Sequence, residues 1–369
     1  MKGKEESASE WLRGTLLFEN GKLCTTEEMD CTSQIRQIDK FVIAVSRYKG
    51  DLVEKGTGGR LQIPARGKLI YANFLACLRL NLGLIRDVFP KHRFSPYYEL
   101  YERHCGDRAR VWGLIHHEDA EALNGVLSAL RREARANSFR AAVDNHERAA
   151  RKNAVGAIRY VRALFDRYSR LRVIRLDLTY QRPHADTSLL LLKGCAPTDP
   201  VSPAEVVQHR EAFLKYLREA YPALVGYIWK IEHGVYKSFH MHWIIVLNGH
   251  EAMQDEVMAK AMGDHWRVAI TSGRGSYWNV NRQKSEYEKR GLLGIGEINW
   301  YQEDRRAALE RIVRYLAKVD YFIRVVAPEI DRVFGRGGMP KPSNSRVGRP
   351  RGRMPGGSAA AVAQPMARG

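Results

Sequence analysis

Two histidines separated by one residue, His240 and His242, are the side chains whose types and spacing most directly offer chemistry. They lie in the run SFHMHWIIVL, residues 238–247, whose β-branched and aromatic residues predict a buried strand. Because alternate side chains of a strand share a face, the two imidazoles should lie side by side. Two such imidazoles form half of a divalent-metal site, although an HxH pair taken alone is also typical of ordinary core or surface histidines.

Glu232 and His233 are the two candidates for a third ligand. The run 225–232 predicts a second strand, residues 233–237 predict a polar turn, and the two strands would form a hairpin. In that hairpin, an odd loop would bring Glu232 to the imidazoles, and an even loop would bring His233 there instead. We favour Glu232, because a carboxylate supplies the charge and hard oxygen that Mg²⁺ or Mn²⁺ prefers; His233 is the alternative.

The motifs EHG at 232–234 and FHMH at 239–242 resemble the metal motif of HUH endonucleases, enzymes that nick single-stranded DNA in rolling-circle replication. Downstream, RYLAK at 314–318 resembles their tyrosine motif, in which the nucleophilic tyrosine is followed three places later by a lysine. Order and spacing, over about residues 170–325, look most similar to the replication initiators of inoviruses, the filamentous phages and their prophages.

The resemblance implies that Tyr315 is the nucleophile and Lys318 its electrostatic partner. The two residues are three apart on a predicted helix and are therefore neighbours on one face. A free phenol, with a pKa near ~10, is a poor nucleophile at neutral pH, so a nearby ammonium would assist it. An ordinary amphipathic helix with an exposed lysine is the alternative. Because position 319 is Val319 and Tyr321 lies about 120° away around the helix, we expect one catalytic tyrosine.

The activity that the resemblance implies is metal-assisted tyrosine transesterification at an origin. The enzyme would nick one strand, form a 5′-phosphotyrosine link and release a 3′-OH for synthesis, with the scissile phosphate filling open metal positions. The chain has no Gly-x-x-x-x-Gly-Lys-Ser/Thr loop, so a host helicase and a host polymerase are the expected partners besides origin DNA. The alternatives are a relaxase or transposase of the same chemistry, a DNA-binding regulator that does not nick, and a metallohydrolase that uses water.

Further DNA contacts are predicted on a strand and on a loop. The run 171–180 alternates apolar and polar residues, which predicts a half-buried strand with Arg175, Asp177 and Thr179 on one face. These three side chains would contact DNA, support the histidines or have a structural role. In the Gly/Ser/Asn-rich stretch 271–282, we expect the aromatic residues to stack bases of single-stranded DNA or to be buried. Those aromatic residues are Tyr277 and Trp278.

The composition of the chain favours a polyanionic partner. Its 369 residues include 60 basic and 41 acidic side chains, for a formal net charge of +19 and a pI of about 9.8, which attracts nucleic acid. No apolar run approaches the about 18 residues that a bilayer span needs, and the N-terminus lacks the apolar core of a signal peptide. The five cysteines are scattered, as is typical of a reducing compartment. We therefore expect a cytoplasmic protein with no membrane partner.

The order of predicted elements gives an α+β fold, with a central antiparallel sheet flanked by helices. Residues 1–165 show helical periodicity and predict a mainly helical domain, in which the basic face of the segment 138–168 would either lie along a DNA backbone or be a solvated helix face. For residues 166–330 the resemblance implies an HUH-like endonuclease domain. Residues 331–369 predict a disordered basic tail. In that tail Arg349 and Arg351 belong to the run Gly348-Arg349-Pro350-Arg351, which resembles an AT-hook that enters A·T minor grooves. We favour a plain electrostatic tether for this basic segment.

Overall fold

The computed structural model describes residues 17–19, 22–24, 27–56, 61–106, 120–181, 199–234, 237–289 and 291–341. In these residues the fold is α+β, and a mainly helical region precedes a sheet-rich region, which confirms the predicted class. The predicted tail contacts Arg349 and Arg351 lie outside the described residues. The predicted division at residues 165 and 166 stays a prediction.

The helical region packs around its own hydrophobic core. On its first long helix Ile35, Ile38, Phe41, Val42 and Val45 recur at three- and four-residue steps and are buried, as the periodicity predicts. The helices are α1 (Glu27–Arg47), α2 (Lys68–Leu78), α3 (Leu82–Val88), α4 (Pro96–Cys105) and α5 (Ala120–Arg135), with a 3-10 turn at Ala65–Gly67. Short strands pair among them: β1 (Leu17–Glu19) with β2 (Lys22–Cys24), and β3 (Glu54–Lys55) with β4 (Leu61–Gln62). Strand β5 is His92–Phe94.

The second region is built on an antiparallel sheet. Its strands are β6 (Arg170–Tyr180), β7 (Leu224–Gly234), β8 (Ser238–Asn248), β9 (Gly275–Asn279), β10 (Gly296–Asn299) and β12 (Phe334–Arg336). The spatial order is β10-β6-β8-β7-β12, and β9 pairs with the other half of β6. Its helices are α6 (Asn137–Arg167), α7 (Pro203–Ala220), α8 (Asp255–His265), α9 (Lys284–Lys289) and α10 (Glu303–Lys318). A π-helical turn (Trp266–Ile270) and 3-10 turns (Val280–Gln283, Val319–Tyr321) complete this region.

The two faces of the sheet have different coverings. One face packs against α7 and α8 in a core that contains Trp243 and Phe213. The opposite face, called here the α6/α10 face, packs against α6 and α10 through residues such as Ile244 and Leu316. Because successive strand side chains point to opposite faces, the residue number decides which face a side chain reaches.

Helix α7 shows how closely sequence signals can define an element. The sequence predicts a helix over residues 203–220, with Pro203 suited to its first turn, and the observed helix has the same bounds. Ser202 accepts a hydrogen bond from the backbone N–H of Glu205, whose side chain bonds back to Ser202, and Pro203 occupies the first turn. Local capping therefore fixes where this helix begins.

The structure corrects three of the predicted elements. The sequence predicts a helix from about residue 303 to residue 326, but the observed helix ends at Lys318, because the chain then turns to pair β11 (Ile323–Val325) with β5. The stretch 271–282 contains strand β9, held by pairing with β6. The predicted tail begins too early, since Phe334–Arg336 forms an edge strand beside β7. All three corrections depend on partners distant in sequence.

Within the described residues, no single helix has the length and apolar character needed to cross a membrane. Of these residues, only the bent pair of segments Ala65–Leu78 and Leu82–Val88, taken together, has that length and composition. The side chains of Cys31, Cys77 and Cys105 are buried.

Candidate metal centre

The β7–β8 hairpin brings Glu232 opposite His240. Seven residues separate the two, the odd number that places a carboxylate and the imidazoles on one face. His242, two residues further along β8, projects to the same face. The cluster of Glu232, His240 and His242 therefore lies at the end of the α6/α10 face beside the hairpin turn.

The ligand atoms of this cluster face one another. Glu232 Oε2 is 3.6 Å from His240 Nε2 and 3.4 Å from His242 Nε2, and the three ligand atoms lie within 4.8 Å of one another. Ligands about 2.1 Å from a cation and at right angles are about 3 Å apart, so a small contraction would suit a divalent ion. Three ligands on one side leave the other coordination positions open for substrate oxygen.

In both imidazoles the nitrogen that faces away from Glu232, Nδ1, makes a hydrogen bond. His240 Nδ1 donates to the backbone carbonyl of Ser238 at 3.1 Å, and His242 Nδ1 donates to Asp177 Oδ1 at 2.7 Å. A proton held on Nδ1 leaves the lone pair on Nε2, which is the nitrogen that faces Glu232. Asp177, predicted either to contact DNA or to support the histidines, lies where it can do the second.

The charges of the site are strongly coupled. Burial would lower the pKa of His242, but the carboxylates of Asp177 and Glu232 outweigh it and raise that pKa to about 9. Burial would likewise raise the pKa of Asp177, but the His242 imidazolium and the Arg175 guanidinium hold it well below its usual range. The pKa of Glu232 is also held low against burial, chiefly by His242. In the metal-free protein a proton on His242 therefore supplies the positive charge between two carboxylates.

One atom of the cluster is left unsatisfied by protein groups. Glu232 Oε1 is buried and has no hydrogen-bond partner among the described residues. A buried carboxylate oxygen without a partner is costly, and a hard cation would satisfy it. The donor set of two imidazole nitrogens and one carboxylate fits Mn²⁺ or Mg²⁺, with nitrogen ligands suiting manganese better.

His233, the alternative ligand, lies on the opposite face. Its Nε2 contacts Asp199 at 3.0 Å, and Asp199 also accepts from Ser238 Oγ and pairs with Lys91 at 2.8 Å. The register therefore brings Glu232, and not His233, to the two imidazoles. The Asp199 network instead holds the residue whose carbonyl receives His240 Nδ1.

Tyr315, the predicted nucleophile, is half-buried on α10 against the core of the α6/α10 face. The Tyr315 hydroxyl affects the pKa of the Arg175 guanidinium. Burial would lower this pKa, but Asp177, and more weakly the tyrosine hydroxyls, raise it. Arg175 Nε is 3.6 Å from Asp177 Oδ1. Arg175 and Asp177 thus pair beside His242, on the face of the sheet against which Tyr315 packs. The side chain of Lys318 lies outside the described residues.

A buried ion pair fixes the end of α10 to the hairpin. Lys230, only 1% exposed and paired in register with His242, donates to Asp320 just beyond α10. A buried lysine needs such a partner. The contact holds the helix that carries Tyr315 beside the strand that carries Glu232.

The other residues predicted to contact DNA lie on both faces of the sheet. Trp278 pairs in register with Asp177, lies on the α6/α10 face and is 55% exposed. Tyr277 points to the opposite face, where its hydroxyl donates to Asp264. Arg175 is largely buried, and Thr179 lies on the α6/α10 face opposite Ser276. Trp278 is therefore the exposed aromatic side chain beside the cluster.

Tyr321 lies away from the metal ligands. Its backbone carbonyl contacts His146 of α6, and its side chain lines a cavity of about 380 Å³ with Tyr97 of α4 and Arg36 of α1. The prediction that it does not share the cation agrees with this position.

Sequence comparison places the chain in a family. The YagK/YfjJ C-terminal domain matches residues 134–337, more than half of the chain. The chain belongs to this family. YagK/YfjJ proteins are prophage-associated, which agrees with the coarser part of the expected origin. The matched range includes α6, the whole sheet and every candidate site residue named above from Arg175 to Tyr321. No curated protein and no solved structure matches the chain.

Several site residues escaped the sequence analysis. Lys230 and Asp320 were missed, although a lysine within the apolar strand 225–232 is a signal that a buried acid must accompany it. Lys237, on the hairpin turn, is close enough to help lower the pKa of Asp177. Asp199 carries no sequence signal of its own, because its partners converge only through the fold.

Proposed function

We propose that this YagK/YfjJ-family protein is a metal-dependent replication initiator of the HUH type, which nicks single-stranded origin DNA through Tyr315. The observation that carries the proposal is the converging set of Glu232, His240 and His242, with both Nδ1 atoms occupied and Tyr315 on a helix that packs against the same face of the sheet. A structural histidine pair would not require a buried carboxylate oxygen that lacks a partner.

Each side chain has a role in this reaction. Glu232, His240 and His242 would hold the divalent cation, which when bound withdraws charge from the scissile phosphate. Arg175 would stabilise the phenolate of Tyr315. Asp177 holds the His242 tautomer and pairs with that guanidinium.

The reaction exchanges one phosphodiester for another. The Tyr315 phenol loses its proton to solvent, and its oxygen forms a bond to phosphorus while the bond to the 3′ oxygen breaks. The departing 3′ oxygen takes up a proton and becomes the 3′-OH. Because the new phosphotyrosine keeps the energy of the original bond, a 3′-OH can reverse the step without ATP.

The deciding experiment is a covalent-adduct assay with labelled single-stranded DNA taken from the flanks of the gene and Mn²⁺, followed by a denaturing gel. Wild-type protein and Tyr321→Phe should give a shifted protein–DNA band, whereas Tyr315→Phe and His240→Ala should not. Cleavage that survives Tyr315→Phe would indicate a hydrolase using water. Duplex binding that is insensitive to EDTA, with no adduct from any fragment, would indicate a regulator instead.

A further inference from the structure

Helix α6 carries a row of exposed cations on the side turned away from the sheet. Arg148, Lys152 and Arg159 are exposed and lie within about 40° of one another around the helix axis. They span about 16 Å along it. Val155, in the same row, is 61% exposed. These four residues are called here the α6 row.

The charge of the α6 row is not neutralised locally. Residues 148–165 contain five cations and no acidic residue. Arg151 pairs with Glu147, and Arg162 pairs with Glu310 of α10. No carboxylate partner is found among the described residues for the three cations of the row. A helix stabilised only as a solvated surface typically pairs its charges at i,i+4, so this concentration of unpaired cations points to an anionic partner.

We propose that the α6 row binds the phosphate backbone of duplex DNA. A rigid line of cations complements the regular line of phosphates in a duplex, and neutralising them releases counterions. Surfaces that hold single strands add aromatic side chains for base stacking, and the α6 row has none. An exposed aromatic residue of this kind, Trp278, lies instead on the strand that pairs with Asp177.

This inference deepens the proposed function and rests on it for its biological setting: the row would hold the duplex that flanks the nicked strand. Helices α6 and α10 cover the same face of the sheet, and Arg162 joins them through Glu310. A duplex held along α6 would therefore be fixed relative to Tyr315.

The test measures binding of a 20-base-pair duplex of arbitrary sequence by fluorescence anisotropy, in EDTA and at 50 to 200 mM NaCl. In the triple variant Arg148→Gln, Lys152→Gln and Arg159→Gln, the slope of log K against log salt should fall in magnitude by about 2 to 3. The Kd at 50 mM salt should rise at least tenfold. Glutamine keeps helix propensity close to that of the original residues, and a thermal melt checks the fold.

The matched control removes the same charge from the opposite side of the sheet. It combines Lys215→Gln, Lys260→Gln and Arg267→Gln, all exposed on or next to α7 and α8. Its slope should change by less than about 1. An equal loss in the control would show that only net charge matters, and an equal loss for a 20-nucleotide single strand would show that duplex is not the ligand; either result overturns the proposal. Single Lys152→Gln should reduce the slope by about 1, and provides the test if the triple variant melts early.

Binding in EDTA does not depend on cleavage, so the two proposals can fail separately. A reduced slope without any adduct would retain the α6 row and refute the nicking enzyme. An adduct together with an unchanged slope in the triple variant would support the nicking enzyme and refute duplex binding by the α6 row.

Discussion

The substitution Asp177→Asn probes the metal centre through its pH dependence. In the wild type, His242 has a pKa raised to about 9 by Asp177 and Glu232, so a cation that binds below that pH must displace a proton. Wild-type affinity should therefore rise about tenfold per pH unit well below pH 9 and be about 50-fold greater at pH 9 than at pH 7, because half of His242 is still protonated at pH 9.

In Asp177→Asn two effects oppose each other. The variant loses the carboxylate that receives His242 Nδ1 at 2.7 Å, and loss of such a partner typically weakens metal binding by about 10- to 100-fold. It also lowers the pKa of His242, which reduces proton competition at neutral pH. The difference between wild type and variant should therefore be small near pH 7 and reach about 10- to 100-fold near pH 9.

Titration calorimetry with Mg²⁺, or with Mn²⁺ under anaerobic conditions, measures these affinities at pH 7, 8 and 9. The matched control is Asp264→Asn, which removes a carboxylate that accepts from Tyr277 on the other face of the sheet. It should bind as the wild type does at each pH. The ratio of the wild-type metal affinity to that of Asp177→Asn is expected to grow as pH rises. A ratio that stays constant or shrinks would refute the coupling of His242 to the Asp177 carboxylate.

Three further outcomes are expected. Lys230→Met should lower the free energy of unfolding by about 3 to 5 kcal/mol in urea denaturation, because it leaves Asp320 buried and unpaired. Adding Asp320→Leu should recover most of this loss, and no recovery would argue against the ion pair. Trp278→Ala should weaken single-strand binding by about 1 to 3 kcal/mol in anisotropy while leaving metal affinity unchanged, and Trp278→Phe should keep most of the binding. In the metal-free protein, His242 stabilises the fold fully below its unfolded pKa near 6.5, and this contribution should be lost as pH rises through about 9, on the order of 3 kcal/mol by urea denaturation. His242→Gln should abolish that pH dependence, and a slope that persists in it would assign the effect to another group.

Strands and helices defined by local signals were predictable from the sequence. Strand β6 and helix α7 carry alternation and capping residues that act within a few positions, and both are observed close to their predicted bounds. Strand β9 and the early end of α10 were not predictable, because each is set by pairing with a strand distant in sequence. Local propensity cannot report such a partner.

The candidate site divides in the same way. The HxH spacing indicates that His240 and His242 share a face wherever the strand lies. The choice between Glu232 and His233 depends on hairpin register, which the sequence left open and the fold decides. The contacts of Asp177 and Asp199 are tertiary, so the sequence could indicate only that Asp177 lies on the polar face of its strand.

The arrangement also explains why one buried strand face can tolerate so much charge. Arg175, Asp177, His242, Glu232 and Lys230 all lie on the α6/α10 face, where isolated charges would be costly. Their signs alternate across neighbouring strands, and Asp320 neutralises the lysine. Among the side-chain atoms of these five residues, Glu232 Oε1 and Arg175 Nε are buried without a hydrogen-bond partner, and Arg175 Nε lies 3.6 Å from Asp177 Oδ1. If Glu232 Oε1 receives a divalent cation, the proton on His242 becomes unnecessary, and the same network changes from a set of ion pairs that stabilise the fold into one that holds a metal.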